Sequence, residues 1–204
     1  MVPTAVRSRQ DESDDALRAA LAAGDAGALD EMLRRHWPRI VRFASHIAGC
    51  DDVAEDIAQD AFVQLWQWRK RLSGGSVMAF LHRVARNLAL NEVRNREAHR
   101  RARAIGFDHE PIVSPPDEVL EIRGLEHAID RAIAALPPRQ RAVFVMARYE
   151  GLRHEEIAKI LGTSPQTVAN QMTSALVRLR DALRPLREAP VPRVGARPGK
   201  FNAG

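Results

Sequence analysis

The chain has 204 residues, a formal net charge of +5, 28% charged and 5% aromatic residues, and a single cysteine, Cys50. This length accommodates two small domains or one domain of ordinary size. One cysteine excludes an intrachain disulfide, and no apolar run approaches the roughly 20 residues that cross a bilayer. The N-terminus also lacks an apolar signal core, so we expect a cytoplasmic protein without membrane insertion.

The sign of the charge alternates along the chain. Residues 1–60 carry 7 basic and 12 acidic side chains, and residues 61–107 carry 10 and 2. Residues 108–130 carry 1 and 7, and residues 131–204 carry 13 and 5. Two basic blocks separated by an acidic segment indicate two nucleic-acid contacts on one chain. Arginines that only cover solvated helix faces are the alternative.

The first predicted elements are helices. Residues 1–14 read as a disordered lead-in, and a helical pattern then begins at Asp15. This pattern ends before Gly24, a residue suited to the position after a helix end. Asp25 opens a second helix, in which we expect Pro38 to produce a kink or a break.

The stretch 51–66, DDVAEDIAQDAFVQLW, has the apolar period of a helix that packs on one side. Its apolar arc consists of Val53, Ala54, Ile57, Ala58, Ala61, Phe62, Leu65 and Trp66. The opposite face is acidic and carries one apolar residue, Val63. A docking surface for a positively charged partner and an ordinary exposed valine both fit this pattern.

A basic helix is predicted after the Ser-Gly loop at 73–76. Its buried stripe consists of Phe80, Leu81, Val84, Ala85, Leu88 and Val93. Its polar face carries His82, Arg83, Arg86, Asn87, Asn91 and Arg94. Arginine contacts phosphates and stacks on bases, and asparagine hydrogen-bonds to base edges. The combination favours single-stranded DNA as the ligand of this face.

Residues 104–124 contain three prolines and several acids, and they predict a flexible linker. A second helical domain follows at 125–184. In it, Ser164 is placed as the N-cap and Pro165 as the first residue of a helix that extends to about Leu183. The apolar period of this helix predicts a buried stripe of Val168, Met172, Ala175, Leu176, Leu179 and Leu183. The short helix before this turn completes a helix-turn-helix. Residues 185–204 are rich in proline and glycine and predict a disordered tail.

The second helix of a helix-turn-helix enters the major groove and presents its N-terminal residues to base edges. Amide side chains hydrogen-bond adenine bidentately, and arginines further along contact phosphates. The predicted DNA contacts of this helix are Ser164, Gln166, Thr167, Asn170, Gln171 and Arg178.

Two motifs resemble those of bacterial RNA polymerase sigma factors. The run from Asp52 to Trp66 is similar to the DAEDxxQexFxxxW signature of the extracytoplasmic-function class of the sigma-70 family. The stretch from Leu136 to Arg180 resembles the −35-binding domain of that family. The resemblance covers about residues 15 to 185 and implies an all-α fold, with a region 2-like domain at 15–103 and a region 4-like domain at 125–184.

The resemblance also implies roles for particular residues. The helix at 51–66 would bind core polymerase, with contacts from Asp52, Glu55, Asp56, Gln59, Asp60 and Val63. The basic helix would recognise and melt the −10 element through Phe80, Arg83, Arg86, Asn87, Asn91 and Arg94. Phe80 and Asn87 would form, with the loop at 72–76, a pocket for a flipped base. Family members usually carry Trp at position 80 and often Asp at 91, so the base preference of this pocket does not carry over.

The sequence therefore predicts a sigma initiation factor. Its partners would be core RNA polymerase, promoter DNA in double-stranded and single-stranded form, and, as a further candidate, an anti-sigma factor. A free-standing helix-turn-helix regulator is the alternative. We find no catalytic constellation and no metal-ligand set, since His46 and Cys50 lack further ligands at suitable spacing. We therefore expect neither enzymatic activity nor a cofactor.

Overall fold

The computed structural model describes residues 9–72, 76–104 and 120–188, and these residues form eight α-helices and no strand. The first unit contains α1 (Asp14–Ala22), α2 (Ala26–Ala48), α3 (Ala54–Trp68), a 3-10 turn (Arg69–Arg71) and α4 (Val77–Ala104). The second contains α5 (Leu120–Ala134), α6 (Pro138–Arg148), α7 (His154–Leu161) and α8 (Pro165–Glu188). The all-α prediction is confirmed. None of the described helices is long and apolar enough to span a membrane.

Helix α2 is the centre of the first unit and packs against α1, α3 and α4. The core between these helices is mainly aliphatic. Its fully buried side chains include Leu17, Leu21, Met32, Ile40, Phe43, Ile47, Leu65 and Leu81. Because all four helices contribute to this core, they hold the exposed faces of α3 and α4 in fixed positions.

Local sequence signals set the ends of α1 and α2. Gly24 adopts a left-handed φ of +89° just after α1, as its predicted position requires. Asp25 caps α2 by accepting a hydrogen bond of 2.9 Å from the Gly27 amide. Pro38 lies inside α2 without breaking it. The helix stays continuous because residues on both sides of Pro38, such as Met32 and Ile40, are buried in one core.

Three segments of the structure extend beyond the predicted domain bounds. Arg35 donates to the carbonyls of Arg9, Gln10 and Glu12 at 2.8, 2.8 and 2.6 Å, so residues 9–13 lie against α2 instead of belonging to a disordered lead-in. Helix α5 begins at Leu120, before the expected start at 125. Helix α8 continues through Pro185 to Glu188. The rest of the predicted lead-in, linker and tail lies outside the described residues, at 1–8, 105–119 and 189–204.

A buried carboxylate on α2 organises the arginines that hold the N-terminal segment. Glu31 accepts hydrogen bonds from Arg34 Nη2 and from Arg35 Nε, each at 2.6 Å. The hydrogen bond from Arg34 is the largest cause of a shift that takes the pKa of Glu31 from 4.5 to about 2, against the opposing effect of burial. Arg35 contributes in the same direction.

This lowered pKa predicts a particular acid response. The contribution of Glu31 to stability is present above its unfolded pKa of 4.5 and is lost as the pH falls towards its folded pKa of about 2. Glu31→Gln should therefore flatten the decline in the free energy of unfolding across that pH range, measured by urea titration at a series of pH values. Asp30→Asn, an exposed neighbour, is the control. An unchanged pH slope in Glu31→Gln would contradict the prediction.

Candidate nucleic-acid and polymerase interfaces

Helix α3 presents an acidic face to solvent. All six predicted polymerase-contact residues are exposed, and Val63 is 46% exposed. The opposite side packs into the core through Ala54, Ile57, Ala58, Ala61, Phe62 and Leu65. Within the described part of the chain, the four carboxylates of this face form no ion pair. The predicted division of α3 into a buried and an exposed side is confirmed, and its acidic groups are available to a cationic partner.

The polar face of α4 is exposed along most of its length. Arg83, Asn87, Asn91 and Arg94 are exposed and Arg86 is half-buried. Arg86 Nη1 donates to Asn87 Oδ1 at 3.0 Å, which orients the amide of Asn87. Between these polar positions, Leu81, Val84, Ala85, Ala89, Leu90 and Val93 of α4 are buried.

Phe80 lies at the border between this polar face and the core. Its side chain packs mostly inside, so the residue is only 8% exposed. The guanidinium carbon of Arg83 lies 5.6 Å from the centroid of its ring, within the range of a cation–π contact. Phe80 thus joins the core to the exposed arginines of α4.

His82 does not belong to the exposed face on which the sequence placed it. Its side chain is 1% exposed, and its ring centroid lies 4.7 Å from that of Phe43. Its Nε2 atom is 3.1 Å from Oε2 of Glu150, a residue of the second unit. The expectation was wrong because the second unit covers this position of α4, and the helical period of α4 contains no information about that contact.

The turn between α7 and α8 has the predicted capping. Gly162 ends α7 with a φ of +63°, and the Thr167 amide donates to Ser164 Oγ at 3.1 Å. Pro165 is the first residue of α8, where its missing N–H leaves no hydrogen bond unmade. The Ser164 hydroxyl is also 2.9 Å from the Thr167 hydroxyl, so the cap already occupies it.

The start of α8 exposes most of the predicted reading side chains. Gln166, Thr167 and Asn170 are exposed and Gln171 is half-buried, while Arg178 lies exposed two turns further on. Gln166 Nε2 donates to Asn170 Oδ1 at 3.1 Å, because residues four apart share one face of a helix.

The buried stripe of α8 is narrower than predicted. Val168, Ala175 and Leu179 are buried, with Met172 and Leu183 packed against the core at its edge. Leu176, expected inside, is 46% exposed. The stripe follows positions 168, 172, 175, 179 and 183, so position 176 lies beyond its border.

The two units contact each other, which the sequence did not predict. Helices α5 and α6 lie against α2, and α7 lies against α4. Arg141 of α6 is buried and donates to the Ile47 carbonyl of α2 at 2.8 Å. Between the units lies a cavity of about 280 Å³, lined by residues that include Arg86, Thr167 and Gln171. Side chains from both predicted DNA-binding faces therefore meet at one place.

Comparison with known families identifies both units. A model of sigma-70 region 2 matches residues 32–99, and a model of sigma-70 region 4 matches residues 126–179. The ECF RNA polymerase sigma factor SigE of Mycolicibacterium smegmatis is 33% identical over 167 residues, which is 79% of this chain and 65% of SigE. The ECF RNA polymerase sigma factor SigM of Mycobacterium tuberculosis is 30% identical over 172 residues, which is 84% of this chain and 85% of SigM.

Solved structures share the fold. CnrH, in complex with the cytosolic domain of CnrY, superposes with a TM-score of 0.65 at 22% identity, over 84% of this chain and 97% of CnrH. The sigma factor RpoE, in complex with the anti-sigma factor NepR from Bartonella quintana, superposes with a TM-score of 0.59 at 22% identity. That match covers 76% of this chain and 96% of RpoE.

Two all-α units, the second built around a helix-turn-helix, define a two-domain DNA-binding transcription factor. The chain belongs to the extracytoplasmic-function class of the sigma-70 family. Its function is that of a sigma initiation factor, which binds core RNA polymerase and directs it to promoters. The alternative of a free-standing regulator is not favoured.

Proposed function

We propose that three exposed faces divide the work of initiation among them. The acidic face of α3 binds core polymerase, the polar face of α4 recognises and opens the −10 element, and the first two turns of α8 read the −35 element. The observation that carries this proposal is the exposure of all three faces on packed helices, with the chemistry that each ligand requires. The chain itself acts in the cytoplasm and performs no catalysis, since the polymerase supplies the reaction.

The α3 assignment is supported by charge and shape. Its carboxylates point into solvent without ion-pair partners in the described part of the chain, so a basic partner surface pairs with them without first breaking internal contacts. Val63 lies among them and provides an apolar contact at the centre of the acidic face. An apolar anchor surrounded by charges is a common arrangement in protein–protein interfaces.

The α4 assignment is supported by the position of Asn87. Its amide is exposed between two arginines of the same face, and the hydrogen bond from Arg86 orients it. Extracting a base from duplex DNA costs a few kcal/mol, which contacts to the flipped base and to its phosphates offset. Asn87 provides the base-edge hydrogen bonds, and Arg83 and Arg94 hold the phosphates on either side.

The α8 assignment is supported by four amide or hydroxyl side chains on its first two turns. Gln166, Asn170 and Gln171 hydrogen-bond to base edges, and Thr167 contacts a base or a phosphate. Ser164 supports them by capping the helix, and Arg178 binds a phosphate beyond the recognised bases.

An anti-sigma factor is a further proposed partner. RpoE, whose fold this chain shares, was crystallised with one. Exposed Leu176 and Val177 on α8 offer an apolar surface of the kind that a partner helix covers.

The deciding experiment is transcription with purified components. The chain and core polymerase are incubated with genomic DNA fragments, and the 5′ ends of the transcripts are sequenced. We expect discrete start sites preceded by two shared elements, which are absent with core polymerase alone. Core polymerase that gains no start-site preference from a chain of native helical content would refute the proposal.

Substitution of Gln171 tests the upstream reading. Gln171→Ala should relax the preference at one or two positions of the −35 element by about tenfold, since one good amide–base pair contributes about 1–3 kcal/mol of discrimination. Selection from a randomised promoter library measures this preference. Thr173→Ala, at an exposed polar residue of α8 outside the predicted DNA contacts, is the matched control. An unchanged preference removes Gln171 from the reading residues.

A further inference from the structure

A single carboxylate joins the two units of the chain. Glu150 lies between α6 and α7, and its side chain is only 1% exposed. Its Oε2 atom accepts hydrogen bonds from Arg39 Nε of α2 and, at 3.1 Å, from His82 Nε2 of α4. Arg39 also donates to the Glu150 carbonyl through Nη2 at 3.0 Å. All of these side-chain partners belong to the first unit.

The buried carboxylate of Glu150 has its hydrogen-bond partners only while the two units are in contact. A buried carboxylate is tolerated only when it is paired. Burial opposes the ionisation of Glu150, but the hydrogen bonds from His82 and Arg39 outweigh it and hold the pKa of Glu150 below its usual value. If the units separate, water replaces both partners. Glu150 therefore stabilises the closed arrangement and not the fold of the second unit.

Two further side chains of the second unit, Tyr149 and Arg141, contact the first unit near Glu150. The Tyr149 ring packs against His46 of α2, with ring centroids 4.1 Å apart and ring planes tilted by 44°. Arg141 is 6% exposed and donates to the Ile47 carbonyl, and its second Nη atom donates to the Leu136 carbonyl at 3.2 Å within its own unit. The contact therefore includes buried side chains, Glu150, His82 and Arg141, that form hydrogen bonds across the two units.

Closure places side chains of both proposed DNA-binding faces around one cavity. Arg86 of α4 shares the interdomain cavity with Arg139 of α6 and with Thr167 and Gln171 of α8. Burial, and then the charges of Arg139 and Arg94, lower the pKa of Arg86. Arg86 and Arg139 repel each other in this cavity. Such repulsion is expected of side chains that bind the phosphates of DNA when the two units are apart. The cavity of about 280 Å³ is far too small for a duplex.

The geometry of a promoter requires the two faces to separate. A −10 and a −35 element lie about 25 base pairs apart, which is about 85 Å of duplex at roughly 3.4 Å per base pair. In the closed chain, Arg86 of α4 and Gln171 of α8 line one cavity. The two helices cannot occupy both elements in this arrangement.

We infer that Glu150 is an interdomain latch, which holds the chain in a closed state unable to bind a promoter until its contacts with Arg39 and His82 are released. The inference rests on the proposed DNA-binding roles of α4 and α8. Promoter DNA, which can bind both faces only when they are apart, would draw the chain towards the open arrangement.

Neutralising the latch tests the closed state directly. Glu150→Gln should shift the closed-to-open ratio by about tenfold or more, because it removes a charge-assisted hydrogen bond. We expect X-ray scattering to give a larger radius of gyration for the full chain. We also expect its affinity for a promoter duplex, chosen from those found by transcript sequencing, to rise by up to about tenfold. Arg39→Gln should reproduce both changes. Glu155→Gln, an exposed carboxylate on α7, is the control. A radius of gyration unchanged in both latch variants would overturn the inference.

Locking the units together gives the complementary test. A Cβ atom built at Gly49 lies 3.4 Å from Ala134 Cβ in the other unit, close to the separation that a disulfide requires. Gly49→Cys with Ala134→Cys, in a Cys50→Ser background, should lose promoter-dependent transcription when oxidised and regain it on reduction. Because Gly49 has a φ of +73°, at which a cysteine is strained, Gly49→Cys alone in the same background is the control and should transcribe equally in both redox states. Oxidised chain as active as reduced chain would overturn the latch. If the reduced chain and the parent both fail to transcribe, the proposed function fails instead, and the scattering experiment still decides on the latch.

Discussion

Reversing two charges on α3 should abolish the association of this sigma factor with core polymerase. Asp56 and Asp60 are four residues apart, so they lie next to each other on the exposed acidic face. Replacing both by arginine opposes like charges across the interface, at a cost of several kcal/mol, and we expect affinity for core polymerase to fall at least about 100-fold. Fluorescence anisotropy of labelled chain, titrated with core polymerase, measures this loss.

The control for this variant carries the same change of charge elsewhere on the first unit. Asp11 and Asp30 are exposed, and replacing both by arginine alters the net charge equally without touching α3. This control should bind core polymerase within about threefold of the parent, because exposed charges distant from an interface act weakly through screening. Undiminished affinity of the Asp56 and Asp60 variant would remove α3 as the docking helix.

Loss of the Asn87 amide should separate strand opening from DNA binding. Asn87→Ala removes hydrogen bonds that help to offset the few kcal/mol needed to extract a base, and we expect opening of a duplex promoter to slow by about 10- to 100-fold. Binding to a promoter with a pre-melted −10 region should change much less, because no free energy is needed there to extract the base from a duplex. A fluorescent base analogue in the non-template strand reports the opening rate.

Asn95→Ala provides the matched control for strand opening. Asn95 is an exposed asparagine on the same helix, about two turns beyond Asn87 and outside the proposed base contacts. Its substitution should leave the opening rate unchanged. Equal losses by Asn87→Ala on duplex and pre-melted templates would show that Asn87 contributes to general affinity and not to melting.

Local sequence patterns predicted the helices and their exposed faces well. The apolar period of α3 placed its acidic residues in solvent, and the structure confirms this for all of them. Gly24 and Ser164 marked a helix end and a helix start because each is suited to one backbone position or one hydrogen bond. These signals act within a few residues, so they are readable without any tertiary information.

The contact between the units could not be predicted in this way. Glu150 and Arg39 are 111 residues apart, and nothing in the period of either helix links them. His82 was misplaced for the same reason, since Glu150 of the opposite unit helps to cover it. The continuous course of α2 through Pro38 likewise depends on packing, which outweighed an unfavourable local preference.

If Gln166 and Asn170 read the upstream element as proposed, the hydrogen bond between them couples the two amides in recognition. Each side chain limits the rotamers of the other, so a change in the base that one of them meets alters the position of its neighbour. Adjacent bases of the upstream element should accordingly covary among the promoters of this sigma factor, as correlated pairs of letters and not as independent ones. A second substitution of the pair would then remove less selectivity than the first.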